Sequence, residues 1–270
     1  MTALGRSHAV VRRLRALKRS REDRDAQRVF VAEGLHLAVE AFEAGADIEF
    51  AIVSPAIARS PEGLAIRKRL QEAGVVIHET ADAVLESLQD ARSPQPMALV
   101  VRRADTDLTA ALDARRGPAL VLVTHGLQDP GNLGSILRTA DAAGATAMVA
   151  CGEGADLYHP RAVRATMGSI FRLPATMADA ATVLDELRRR GIASVAADPH
   201  ARVDHVRCDL TSAVALWIGR EGAGLPPEIL DAADRTARIP MAAGVESLAA
   251  PAAAAVLLYE AARQRAYGAG

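Results

Sequence analysis

Three stretches in the second half of the chain carry polar side chains in settings that suit ligand chemistry. The first is LQDPGNLGSILRTADAAGA, residues 127–145. Asp129, Pro130 and Gly131 make a turn, and Asn132 suits a helix N-cap. Leu133, Ile136, Leu137 and Ala140 recur at helical spacing as a buried stripe, with Ser135, Arg138, Thr139 and Ala142 beside it. Asn132 and Arg138 then stand at a strand's carboxyl end and on the helix that follows, where open α/β sheets bind ligands. The second stretch is LWIGREGAGLPPEIL, residues 216–230, with Gly219, Gly222 and Gly224 around Glu221. Such a loop lets backbone approach a ligand and exposes its N–H groups. Glu221 suits binding a cation or positioning a basic group. No GK[ST] follows and no GxGxxG is present, so this is neither a Walker loop nor a dinucleotide fingerprint. The third stretch is RIPMAAGVESLAAPAAAAVLLYEAARQR, residues 238–265. Ile239, Pro240 and Met241 lead into a glycine-bearing turn, then Glu246 and Ser247, then an alanine-rich helix. Ser247 suits either a cap or a substrate contact. Pro251 fits a first helical turn, so the helix is expected to begin near Ala249 to Pro251.

Two α/β series must position these stretches. In the first, Val10, Val11, Leu14 and Leu17 mark an amphipathic helix over 8–20. A strand is expected at Val29–Val31, and a helix carrying Leu35, Ala38, Val39 and Phe42 that Gly45 closes. IEFAIVS, VVIHE and MALVVRR read as strands, with helices at 62–73 and 81–88. The polar stretch 104–117 reads as a link between domains. In the second series, PALVLVTHG is a continuous apolar run, as in a parallel strand buried on both faces. TAMVACG, IASVAAD, AVALWIGRE and ARIPM are the further strands, and helices are expected at 132–143, 160–168, 178–190 and the chain's end. The organisation is therefore 1–104, a link over 105–117, and 118–270.

Composition bounds the rest. Hydrophobic residues make up 50% of 270, enough for a large core, and aromatics only 3%, so Ala, Val and Leu must fill it. The net charge is −1, but residues 6–28 carry nine Arg or Lys against three acids. A basic arm on a near-neutral chain points to a polyanionic partner such as RNA, with an affinity that falls steeply with salt. Cys151 and Cys208 form no CxxC pattern, which argues against zinc and disulfides and for a reducing compartment. No run is long and apolar enough to span a membrane, and no secretory core is present.

Any one of the three stretches fits an ordinary turn or capped helix; together they resemble the three motifs of the SpoU (TrmH-like) family of RNA 2′-O-ribose methyltransferases. These are NLGSILRTA at 132–140, IGREGAGL at 218–225, and IPM…ESL at 239–248. The resemblance covers 118–265, and residues 7–103 look more loosely like the substrate-binding domain that many members carry. It implies an α/β fold with a C-terminal trefoil-knotted methyltransferase domain on a parallel sheet, preceded by a small α/β substrate-binding domain. It implies S-adenosylmethionine lined by Gly219, Ile239 and Leu248, a catalytic surface of Asn132, Arg138, Glu221 and Ser247, no metal, a homodimer, and work on ribosomal or transfer RNA in the cytoplasm. Where the family usually has asparagine after Ser-Leu, this chain has Ala249. That departure motivates a second expectation, an RNA-binding or ribosome-assembly protein of reduced activity on the same scaffold. A Rossmann-like enzyme for a small metabolite is a third, and it leaves the basic arm unexplained.

Overall fold

In a computed structural model, residues 3–89, 94–104, 106–113, 117–245 and 247–267 are described. In chain order the elements are α1 (Ala9–Arg19), α2 (Arg21–Gln27), β1 (Val29–Glu33), α3 (Leu35–Glu43), β2 (Ile48–Val53), α4 (Pro61–Glu72), β3 (Val76–Glu79), α5 (Asp82–Glu86) and β4 (Met97–Arg102). They continue as α6 (Leu108–Asp113), β5 (Leu120–His125), α7 (Pro130–Ala142), β6 (Ala147–Cys151), α8 (Pro160–Ala165), β7 (Ala175–Ala178), α9 (Ala180–Arg189), β8 (Ala193–Ala197), β9 (Val214–Ile218), α10 (Pro227–Ala232), β10 (Arg235–Ala237) and α11 (Ala250–Tyr267). The chain divides into two compact units, one of residues 1–104 with 158–171, the other of 105–157 with 172–270.

The first unit is built on a four-stranded sheet in the order β1-β4-β2-β3. β4 runs antiparallel to both neighbours, and β2 pairs with β3 in parallel. Val11, Leu14 and Leu17 of α1 are buried against Val29 and Val31 on one face. Segment 158–171, which the sequence reading placed in the second domain, clusters here instead. Phe30 holds it: its ring lies 5.2 Å from Tyr158 and 5.9 Å from Phe171. Glu33, a buried acid, draws in Arg164 at 2.7 Å and Lys18 at 2.6 Å. A carboxylate out of water needs such partners, because a lone buried charge costs several kcal/mol (~5).

The second unit carries a six-stranded, wholly parallel sheet in the order β10-β8-β9-β5-β6-β7. β5, β6 and β9 are buried along nearly their whole length, as their unbroken apolar runs require. The polar stretch 104–117 is more than a link, because α6 buries Ala111 and Leu112 in this core. Three elements were not anticipated: α2, the edge strand β7 and α10. The last strand also starts earlier than expected. β10 ends at Ala237, and Ile239 to Met241 lie outside any strand. Pro240 has no N–H to extend a ladder, so pairing stops after an isolated bridge between Arg238 and Asp204.

The end of α11 is tied to distant backbone. The guanidinium of Arg265 donates to the carbonyls of Pro118, Ala119, Leu210 and Ser212 at 2.7–3.0 Å. The preceding residue, Gln264, receives the Leu210 N–H and donates to the Cys208 carbonyl. Glu260 holds Gln264 in turn, and its hydrogen bond from Arg263 lowers its carboxyl to about 2. A depressed carboxyl stabilises the fold above its ordinary range and loses that effect only as pH falls toward the folded value. This cluster is therefore intact throughout the neutral range. Arg265→Met is expected to destabilise the protein by about 3 kcal/mol, since it leaves several carbonyls without their charged donor. The check is a lower urea midpoint with unchanged slope, and Arg265→Lys should recover only part of the loss, because an ammonium cannot fork across the same carbonyls.

Candidate active site

The carboxyl ends of β8, β9 and β10 and the start of α11 surround one cleft in the second unit. Ile218, Gly219, Ile239 and Leu248 supply apolar or small wall, and Ala197, Ala237, Ala250 and Ala253 keep it narrow without filling it. Glu221 and Ser247 reach its rim, and both are exposed. Five of the seven residues singled out by sequence thus line a single cavity: Gly219, Glu221, Ile239, Ser247 and Leu248.

The loop after β9 owes its shape to glycine. Arg220 and Gly224 exchange both backbone hydrogen bonds, at 3.0 and 2.9 Å, so the chain reverses over Glu221, Gly222 and Ala223. Gly222 and Gly224 sit at φ +77° and +67°, in the left-handed region where side chains are strained. Gly219 faces the returning strand so closely that a Cβ there would lie 2.1 Å from the Gly224 carbonyl carbon. Folding the loop back this tightly turns Glu221 outward at its tip, on the rim of the cleft.

Asn132 does not cap its helix. The cap is Asp129, whose carboxylate accepts the Asn132 N–H at 2.9 Å, and α7 begins at Pro130. Pro130 favours this start, since its missing N–H falls where a helix has an unused donor anyway. The Asn132 side chain is thereby released, and its Nδ2 donates to Glu221 Oε1 at 2.8 Å. That bond joins the first and second motifs directly. Asn132 itself is outside the cleft wall and reaches it through Glu221.

Arg138 lies a turn and a half further along α7. It is exposed, lines no part of the cleft, and makes no hydrogen bond or ion pair among the described residues. Six residues of helix turn it well away from the direction of Asn132, so Glu221 engages the asparagine and leaves the guanidinium free. Ser247 likewise does not cap α11: the Ala249 carbonyl accepts from the N–H groups of Ala252 and Ala253 and so holds the capping position. The helix starts at Ala250, as Pro251 led one to expect. Glu246 lies outside the described residues.

Sequence reasoning missed one wall of the cleft. Ala197 at the end of β8, with Asp198 and Pro199 after it, lines the cleft. The available signal was another apolar strand ending in an Asp-Pro turn, at the carboxyl edge where such sheets bind ligands. Of the two cysteines, both free and buried, Cys151 lies at the end of β6. Burial pushes its thiol up to about 12, which makes it inert as a nucleophile. Among the described residues no group of three or more His, Cys, Asp or Glu is arranged to hold a metal ion.

The basic segment is divided in its use. Arg13 pairs with Glu49, Lys18 with Glu33, and buried Arg24 donates to the Leu17 carbonyl. Arg12 and Arg19 are exposed, Arg15 is half-buried, and all three stand on one outer stripe of α1 with no partner among the described residues. The segment is therefore part structural support and part free positive surface. No helix among the described residues is long and apolar enough to cross a membrane.

Comparison with known proteins agrees with this geometry. Residues 119–259 match the SpoU rRNA Methylase family and residues 9–98 the MRM3-like substrate binding domain. The chain is 28% identical over 240 residues to the 23S rRNA (guanosine(2553)-2′-O)-methyltransferase RlmP of Bacillus subtilis, covering 89% of this chain and 91% of that one. It is 34% identical to the 23S rRNA (guanosine-2′-O-)-methyltransferase RlmB of Bordetella pertussis, covering 73% and 82%. The structure of the SpoU methyltransferase AviRb from Streptomyces viridochromogenes, in complex with the cofactor AdoMet, superposes with a TM-score of 0.86 at 32% identity over 97% of this chain and 100% of that one. With a parallel sheet, three motif loops drawn together at its carboxyl edge, and these likenesses, the chain belongs to the SpoU rRNA methylase family.

Proposed function

We propose that this protein methylates a ribose 2′-hydroxyl of structured RNA, ribosomal RNA rather than transfer RNA, with S-adenosylmethionine as donor. The observation that carries this reading is the convergence of Gly219, Ile239, Ser247 and Leu248 on one narrow cleft, with Glu221 and Asn132 joined at its rim. The cleft suits the donor: its alanines and branched apolar walls accept a flat ring, and at Gly219 the backbone itself forms the surface. Gly219, Ile239 and Leu248 would hold S-adenosylmethionine, which when bound supplies an electrophilic methyl carbon whose leaving group departs neutral. Relatives named for methylation of 23S ribosomal RNA favour that substrate and, with it, work in the cytoplasm.

The chain's own task is then positioning. Asn132 and Glu221 brace two loops against each other, which fixes the rim against which a ribose would lie. Arg138 is a clamp for an RNA phosphate and a stabiliser of the developing alkoxide; a guanidinium is always protonated and makes a poor base. Its lack of an internal partner suits that role. Ser247, exposed at the rim, can reach the sugar. The free stripe of Arg12, Arg15 and Arg19 would add phosphate contacts that carry no sequence information. Residues 1–104 would form the substrate-binding domain and 118–270 the methyltransferase domain. We also infer a homodimer and a trefoil knot in the second domain, as the family resemblance implies. Exposed Tyr259 on α11 supports the first, and the carbonyl clamp of Arg265 suits a threaded chain end.

A second reading, RNA binding with reduced turnover, is favoured by Ala249, at the capping position of α11 beside the cleft residues Leu248 and Ala250. Arg138→Ala is expected to abolish tritiated-methyl transfer to unmodified ribosomal RNA while calorimetric donor affinity stays within about twofold; loss of donor binding would assign Arg138 to the cleft instead. Gly219→Ala should remove donor binding itself, and methyl transfer with it, because the added Cβ forces Gly224 away. Ala249→Asn should leave stability within about 0.5 kcal/mol, because the Ala252 N–H that a cap would take already donates to the Ala249 carbonyl. A rise in turnover would show that the wild-type chain is a weakened enzyme, and unchanged turnover that the amide is dispensable here.

A further inference from the structure

A second cavity, of about 670 Å³, opens beside the donor cleft and shares Asp198 with it. It lies along the outer edge of β10, between Arg235 and Thr236 of that strand and the loop that follows β8. That loop is held in place. The Arg238 N–H donates to the Val203 carbonyl at 2.9 Å, and the His205 N–H donates to the Arg238 carbonyl at 2.8 Å, so the loop continues the sheet by an isolated bridge. Its side chains are therefore presented on fixed backbone, and an incoming ligand need not order them.

Three arginines and two carboxylates line this cavity, so its charge is net positive. The carboxylates keep their charge but are held locally: Asp198 accepts the His200 N–H at 2.9 Å, Asp209 accepts the Thr211 N–H and hydroxyl, and Asp204 is paired with Arg238 at 2.7 Å and attracted by Arg207 as well. Arg235 uses one nitrogen on the Asp209 carbonyl. Arg202 and Arg207 are exposed and make no hydrogen bond or ion pair among the described residues. Each adjoins an exposed valine, Val203 at 43% and Val206 at 53%. Guanidinium donors next to small apolar surface match a sugar–phosphate backbone, in which charged phosphates alternate with apolar ribose edges.

We propose that this cavity is an anion site, formed by Arg202, Arg207 and Arg235, that seats a phosphate of the RNA strand next to the methylated nucleotide. The proposal rests on the methyltransferase reading. Its geometry adds that the strand runs from the donor cleft past Asp198 onto the edge of β10. Phosphates on either side of a target ribose fix the sugar's rotation, so this site would orient the 2′-hydroxyl as well as add affinity.

The test uses the full chain, unmodified 23S ribosomal RNA, and the variants R202Q/R207Q and R202K/R207K. RNA affinity is measured over a range of salt, and donor affinity by calorimetry reports the integrity of the neighbouring cleft. The glutamine pair is expected to bind RNA about tenfold more weakly at 0.1 M salt, with a log–log salt slope shallower by about 0.8, as for one lost phosphate contact. The lysine pair should stay within about threefold of wild type, and donor affinity should be unchanged in all three. Wild-type affinity and slope in the glutamine pair, with donor binding intact, would overturn the site while leaving the methyltransferase reading standing. Wild-type protein that transfers methyl groups to no RNA would overturn that reading itself. Inorganic phosphate supplies the third arm: saturable phosphate binding that R202Q/R207Q abolishes and that competes with RNA supports the proposal, whereas phosphate binding that leaves RNA affinity untouched assigns the cavity to a free anion and overturns it.

Discussion

The approach of Gly219 to Gly224 is the constraint on which the site depends. A parallel strand normally delivers its chain outward into a loop of ordinary width. Here β9 ends and the backbone returns within van der Waals contact, closer than any side chain permits. Two consequences follow from that one contact. The cleft gains a wall made of main chain, able to lie flat against a ligand, and Glu221 is carried to the tip of the reversal, where it meets Asn132 from α7. The binding surface and the brace across its rim therefore have one origin, and Gly222 and Gly224 supply the left-handed conformations that the reversal needs.

Around that contact the charged groups fall into two populations, and burial separates them. Lys18, Arg24 and Glu33 are almost wholly withdrawn from solvent and are held by partners, so their charge serves cohesion within the first unit. Arg12, Arg138 and Arg202 are exposed with no internal partner among the described residues, and Arg207 is held only by a longer-range attraction to Asp204, so their charge is available to something else. A count of basic residues cannot distinguish these groups. The N-terminal run overstates its free charge, and the loop after β8 contributes cations that no run announced.

The parts of the fold legible in sequence were those with a periodic physical cause. β5, β6 and β9 are apolar throughout because both faces are covered, and the stripe Leu133, Ile136, Leu137, Ala140 is buried as its spacing required. Elements set by a single local competition were not legible. Asp129 and Asn132 are both good caps; Pro130 decided between them by favouring the first helical position, and the asparagine passed from a structural role to a bracing one. The short β7 carries too few residues for a period to show. The residence of 158–171 in the first unit depends on the aromatic contacts of Phe30 and the buried acid Glu33, partners more than a hundred positions away. The cleft itself could be read from its three motifs, but not its fourth wall at Ala197 to Pro199, where the side chains are plain and only topology places them.

Ala249 shows how a family motif can lose a residue without losing its frame. At the capping position an asparagine side chain would compete for the Ala252 N–H, the first one a cap can reach because Pro251 has none. With alanine there, the Ala249 carbonyl itself takes that N–H at 2.9 Å, and the helix begins on schedule. Pro251 pre-sets its backbone angle in the first turn, and the alanine run that follows has the highest intrinsic helix preference of any residue type. Further along, Glu260, Gln264 and Arg265 anchor the helix to the backbone that leads into β9 and to the start of β5. With its far end fixed this way, the position of Leu248 and Ser247 on the cleft wall does not require a cap. The geometry of donor binding and the chemistry at the ribose are thus separable at residue 249: the first is secured by the helix as a whole, and only the second can depend on the missing amide.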